Sequence, residues 1–279
     1  MQWWCVAQTA PWSWTWRAYP GVWLFMLGMI AVGVMLQRRF GVDDSPMFSG
    51  SALAGVAGVL ALWAALDWPI GALGSGYLAS VHMVQFLLIC MVASPLLLLA
   101  LPEGFFHWLE RAAGGALRTI THPLFTMGQF AALVGLTHWP PVVDGLMVTQ
   151  RGNFLLDSVW LGTGLLFWWP VAAAAPHRQW FGYPAKMGYL IIASIVNTGV
   201  FAYLVFSGLP LYSVFELAPP IDVLPTRVDQ RLAGLMMKTG GALVLWTWIT
   251  ALFFRWHANE TAHDEEPGYQ TGPASREAV

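Results

Sequence analysis

LASVHMVQFLLICMVASPLLLLAL, residues 78–101, runs for 24 positions without one Asp, Glu, Lys or Arg. A helix crossing the hydrocarbon core of a bilayer needs about 20 mainly apolar residues, so this stretch reads as a transmembrane span. The rest of the chain has the same character. Of 279 residues, 57% are hydrophobic and 10% charged, with 17 Trp and 16 Phe, and the mean hydropathy is +0.58. A soluble domain is about 25% charged and about 45–50% apolar. Thirteen Lys and Arg with fifteen Asp and Glu could not coat a water-soluble globule of this size. The same figures exclude disorder, a coiled coil and a secreted disulfide scaffold. The net charge of −2 excludes nucleic-acid binding through a basic face. Cys5 and Cys90 say little about redox compartment. What remains is an all-α, polytopic membrane protein.

Six further apolar runs flank this one: Tyr19–Leu36, Gly50–Leu66, Leu124–Thr137, Leu155–Ala175, Met187–Ser207 and Leu232–Phe254. The expectation is a seven-helix bundle whose fourth member is short. Arg38-Arg39 with Asp43-Asp44, Asp67-Trp68-Pro69, His177-Arg178 and Pro219-Pro220 punctuate the runs. Seven passes place Arg38, Arg39, Arg111, Arg118, Arg178, Lys186, Arg255 and Arg276 on one side. Arg17, Arg151, Arg227 and Arg231 fall on the other. Eight against four puts the C-terminus in the cytoplasm and the N-terminus outside. Residues 1–18 lack a basic leader region and are not expected to be cleaved. Their five Trp read as an interfacial mat. Residues 19–257 form the membrane domain, and the polar residues 258–279 a disordered tail.

The hydrophilic side chains within the runs share one depth. His82 and Gln85 open the third run, His138 closes the fourth, Asn153 and Asp157 open the fifth, and Asp229 and Lys238 bracket the start of the seventh, around Met236 and Met237. All fall in the outer third of the bilayer, where an ionisable residue marks a functional site by default. Structural readings stand beside that one. His82 could bond a neighbouring backbone, and His138 could be an interfacial loop residue. Asp157 and Lys238 could form an ion pair tying the fifth run to the seventh, and the Met residues could be core filling. The other histidines lie in inner-side loops or the tail and have no assigned role. No nucleophile elbow, zinc-protease motif, phosphate loop or C-x-x-C is present, so no enzymatic activity is expected. Without visible internal repeats, a transporter using Asp157 and Lys238 has little support.

HMVQFLLICMVASPLLLLALP (82–102), THWPP (137–141), GLLFWWPVAAAAP (164–176), PLYSVFELAP (210–219) and DQRLAGLMM (229–237) together resemble the CtaG family of caa-type cytochrome c oxidase assembly factors. The resemblance implies a multi-pass protein of the bacterial inner membrane, surrounded by lipid and serving the respiratory chain. Its partners would be haem-copper oxidase subunits, whose copper centre it would help mature at the periplasmic face. Imidazole and thioether suit copper, the thioether favouring Cu(I). The ligand set that matches the family pattern is His82, His138, Met236 and Met237. Elsewhere the chain departs from that pattern, with Phe86 where a second His follows the first by four residues. Asn153 and Asp157 stand where the family has a His pair. The alternative reading is therefore a metal-free accessory or scaffold subunit of an oxidase complex.

Overall fold

The computed structural model describes residues 2–41, 50–175, 181–196, 198–221 and 224–264. Asp43, Asp44, His177, Arg178 and Arg276, used above for boundaries and charge bias, lie outside these residues. Among the described residues every regular element is helical. The elements are α1 (Pro20–Phe40), α2 (Gly50–Leu66), α3 (Ile70–Gly76), α4 (Ala79–Phe86), a π-helical turn (Leu87–Ala93), α5 (Ser94–Ala100) and α6 (Glu103–Ile120). They continue with α7 (Pro123–Thr137), α8 (Pro140–Met147), α9 (Gln150–Ala172), α10 (Tyr183–Val196), α11 (Thr198–Phe206), α12 (Ser213–Glu216) and α13 (Thr226–Asp264).

Five of these helical stretches are long and apolar enough to cross a membrane: Pro20–Phe40, Ala79–Ala100, Gln150–Ala172, Tyr183–Phe206 and Thr226–Ala262. A sixth is added if α2 and α3, bent by 42°, make one span. The seventh expected run is the 15-residue α7, about 22 Å at 1.5 Å per residue, against a hydrocarbon core of about 30 Å. Two expectations change at the chain ends. Helix α13 continues through the start of the polar tail to Asp264, and residues 265–279 lie outside the described part. The N-terminal tryptophans are not one surface mat. Trp14 and Trp16 are 70% and 57% exposed, whereas Trp4 is 1% exposed. Residues 2–19 run as an irregular strap, held by Trp3 N–H to Gln150 Oε1 (2.7 Å), Ala7 N–H to Met147 O (3.1 Å) and Tyr77 Oη to Ala10 O (2.9 Å).

Pro95 explains why the decisive apolar run is not one uniform helix. A proline inside a helix has no N–H to donate, and its ring crowds the preceding turn. Here the chain widens into the π turn just before it. Ser94 Oγ donates to Ile89 O (2.8 Å), and Trp168 Nε1 on α9 donates to Cys90 O (3.1 Å), so the loosened carbonyls keep partners. Helix α9 approaches at Gly164, where a Cβ would strike Ser94 Oγ and Cys90 O. The aromatic core lies alongside, with Phe130 of α7 stacked on Phe167 of α9 at 4.2 Å.

The start of α4 is held from another helix. Leu78, its N-cap residue, provides no side-chain cap, and α4 has orphan N–H groups in its first turn. The buried Asp229 of α13 accepts from Ala79 N (2.6 Å), from Ser80 N (3.2 Å) and from Ser80 Oγ. A carboxylate is also favoured at this end of the helix dipole. Asp229 is thus a cap that fixes where α4 begins. Asp229→Ala should lower stability by about 2–3 kcal/mol, measured as earlier thermal unfolding in detergent. Asp229→Asn, which keeps one acceptor, should lose less.

Candidate functional site

On α4, His82 and Phe86 stand one turn apart, with Gln85 between them on an adjoining face. On α9, Asn153, Asp157, Trp160 and Gly164 follow the i, i+4, i+7, i+11 spacing of one helix face. That face meets α4 and the end of α7, where His138 is the C-cap residue. Trp160 joins the two histidines. Its ring lies 4.8 Å from that of His82 and 6.1 Å from that of His138, near-parallel to the latter. Phe86 stands edge-on to His138 at 5.2 Å, and Phe215 of α12 lies 5.7 Å from His82. Trp160 Nε1 is fixed by Thr137 Oγ1 (3.1 Å). The result is an aromatic box around two buried imidazoles, each 3% exposed.

The tautomer of His138 follows from its partner. Nδ1 lies 2.8 Å from Val134 O, and a carbonyl only accepts, so Nδ1 carries the proton and Nε2 presents a lone pair. Among the described residues no group in hydrogen-bonding geometry meets His138 Nε2, nor either nitrogen of His82. The Gln85 side chain lies close to His82 but out of hydrogen-bonding geometry. Leaving a buried polar group unmade costs about 1–3 kcal/mol. Three ring nitrogens in that condition, in one box, are what sets this region apart. Tyr212, between α11 and α12, donates its hydroxyl to His138 O (2.8 Å). Burial pushes that hydroxyl's pKa up, so it remains a donor.

The other expected site residues have different duties. Asp157 and Lys238 do not pair. Asp157 Oδ2 accepts from Trp4 Nε1 (2.8 Å) and Oδ1 from Gln85 Nε2 (2.9 Å). Lys238 Nζ donates to Ser194 O (2.9 Å) and Thr198 Oγ1 (2.7 Å), which joins α13 to α10 and α11. The reason is azimuth. Asp229, Ala233, Met237 and Gly240 form the α13 face on α4 and the π turn, with Gly240 against Leu87. Lys238 is turned about 100° from Met237. Met237 is buried on that face, and Met236 is half-buried on a neighbouring one. Asn153 Nδ2 donates to Met147 O (2.9 Å), closing the end of α8. Cys5 is no free soft ligand either. Burial, and then Asp157 and Asp67, push its thiol pKa well up, and it donates to Leu66 O (3.4 Å). Among the described residues no three His, Cys, Asp or Glu side chains form a metal-holding group.

Sequence reasoning missed Trp4, Trp160, Phe215 and Tyr212. Trp160 had a local signal, since it continues the Asn153–Asp157 face. Trp4 had none, because its partner lies 153 residues away. These contacts set the expected couplings. Trp4→Phe and Asp157→Asn should each destabilise, and the double variant should lose less than their sum by roughly 1 kcal/mol. Asp157→Asn with Lys238→Met should instead be additive within about 0.5 kcal/mol, both measured by thermal unfolding in detergent.

The family model described as cytochrome c oxidase caa3 assembly factor (Caa3_CtaG) matches residues 23–259. No curated protein and no solved structure matches the chain. The match takes in α4, α7, α9 and most of α13, with every residue of the aromatic box, and the chain therefore belongs to the Caa3_CtaG family of cytochrome c oxidase assembly factors.

Proposed function

We propose that this assembly factor matures the copper centre of a haem-copper oxidase at the periplasmic face of the bacterial inner membrane, with His82 and His138 taking the cargo ion. The observation that carries this reading is the set of unpartnered nitrogens in the box. Cu(I) is a soft ion that accepts few ligands, and imidazole and thioether both suit it. Met237, on the α13 face packed against α4, is the nearest fit for a third donor, ahead of Met236. The carboxylate of Asp157 is committed to Trp4 and Gln85. The protein acts as a carrier and makes no chemical transformation of its own. Seven passes are counted with α2–α3 as one bent span and α7 as the short one. The eight-to-four division of Lys and Arg supports an outer N-terminus and a cytoplasmic C-terminus.

One observation favours a second reading, a metal-free scaffold subunit. Phe86 fills the space beside His138, and Asn153 and Asp157 have structural partners. Anaerobic titration of the purified protein with Cu(I) against a chromophoric chelator separates the two. The carrier reading expects about one ion per chain, lost in His82→Ala and in His138→Ala and retained in Asp157→Asn. Absence of copper from the unaltered protein, with oxidase subunits co-purifying in fixed proportion, establishes the scaffold instead.

A further inference from the structure

A groove of about 220 Å³ runs between α7 and α11, lined by Gly135, His138, Trp139, Gly199, Val200 and Tyr203. Its lining includes a site imidazole. A Cβ placed on Gly135 or on Gly199 would meet nothing within 4 Å, so both walls are set back. Trp139 and Tyr203 at the rim are 56% and 49% exposed, while His138 is 3% exposed. His138 also has its Nδ1 tied to Val134, which leaves Nε2 as the atom a ligand could use.

Two other sides of the box are covered by described residues. His82 is covered by Trp160 and Phe215. On the strap side, Trp4 is 1% exposed and anchored to Asp157. Phe215 in turn is held down because Asp144 of α8 accepts from Ser213 N (3.1 Å) and Val214 N (3.0 Å) at the start of α12. A ligand therefore meets His138 before His82.

From this geometry we infer that the α7–α11 groove is the port through which a soft monovalent cation, alone or on a small carrier ligand, reaches His138, with His82 as the inner second donor. The inference rests on the proposed copper role for its cargo, but the place of His138 in the groove lining is independent of it. The two glycines leave gaps in the walls, where a Cβ has open space and a larger side chain would stand in the path.

Two measurements test the port. The first uses no metal. Diethyl pyrocarbonate, an imidazole-modifying reagent, is applied to the folded protein in detergent and the sites are read by mass spectrometry. His138 is expected to be modified well before His82, with at least tenfold protection in Gly199→Trp. An unmodified His138, or equal modification in Gly199→Trp, overturns the port. The second follows transfer of Cu(I) from a chelator. Gly135→Trp and Gly199→Trp should slow loading at least tenfold at unchanged stoichiometry, while Tyr203→Ala, which widens the rim, should hasten it. Loading at the unaltered rate in both tryptophan variants also overturns it. If the unaltered protein takes up no copper while His138 is still modified through the groove, the copper role fails and the port stands.

Discussion

In hydrocarbon a polar group has no water to turn to, so each must find its partner within the protein. That constraint organises this molecule. The first N–H groups of α4 are met by Asp229 reaching across from α13. The last turn of α8 is closed by Asn153, and the carbonyl loosened by the π turn is taken by Trp168. The carboxylate of Asp157 is met by the indole of Trp4 and the amide of Gln85. Each of these pairs also fixes how two elements sit against one another. Other buried polar atoms, Thr163 Oγ1 and Trp169 Nε1 among them, also have no partner among the described residues; His82 and His138 differ in bringing three bare imidazole nitrogens into one aromatic box.

The apolar runs made the membrane class and most helix positions legible, because a span is a length of hydrophobic sequence and little else. What they could not convey was azimuth. Depth places Asp157 and Lys238 at one level, and at one level opposite charges look like partners. A step from Met237 to Lys238 rotates the side chain by about 100°, from the α4 side of α13 to the α10–α11 side, where Ser194 O and Thr198 Oγ1 serve the ammonium instead. The carboxylate then takes two N–H donors. A buried ion pair offers uncertain stability in any case, since desolvation offsets much of the attraction.

Helix α6 and the strap show a second limit. Residues 103–120 carry Glu103, His107, Glu110, Arg111 and Arg118, too polar for a span, yet they form a helix with the charges to one side and Phe106 buried. A search tuned to apolar length passes over amphipathic helices. The strap has no periodicity at all. Trp4 was legible as an aromatic residue that favours interfaces, but an indole buries well wherever its one N–H is satisfied, and Asp157 satisfies it.

On the proposed carrier reading, Phe86, Asn153 and Asp157 need not weaken the site. A site that must release its cargo is limited by dissociation, and each 1.4 kcal/mol of added affinity multiplies the equilibrium constant by about ten. A full set of imidazoles around Cu(I) would favour storage over transfer. The Phe86 ring stands edge-on to His138 and adds no donor, so the number of donors stays low. Trp160 then holds both remaining imidazoles against a common wall. On the proposed carrier reading, a box that is rigid through its aromatic rings and sparing in its ligands would keep the ion shielded without binding it beyond recovery.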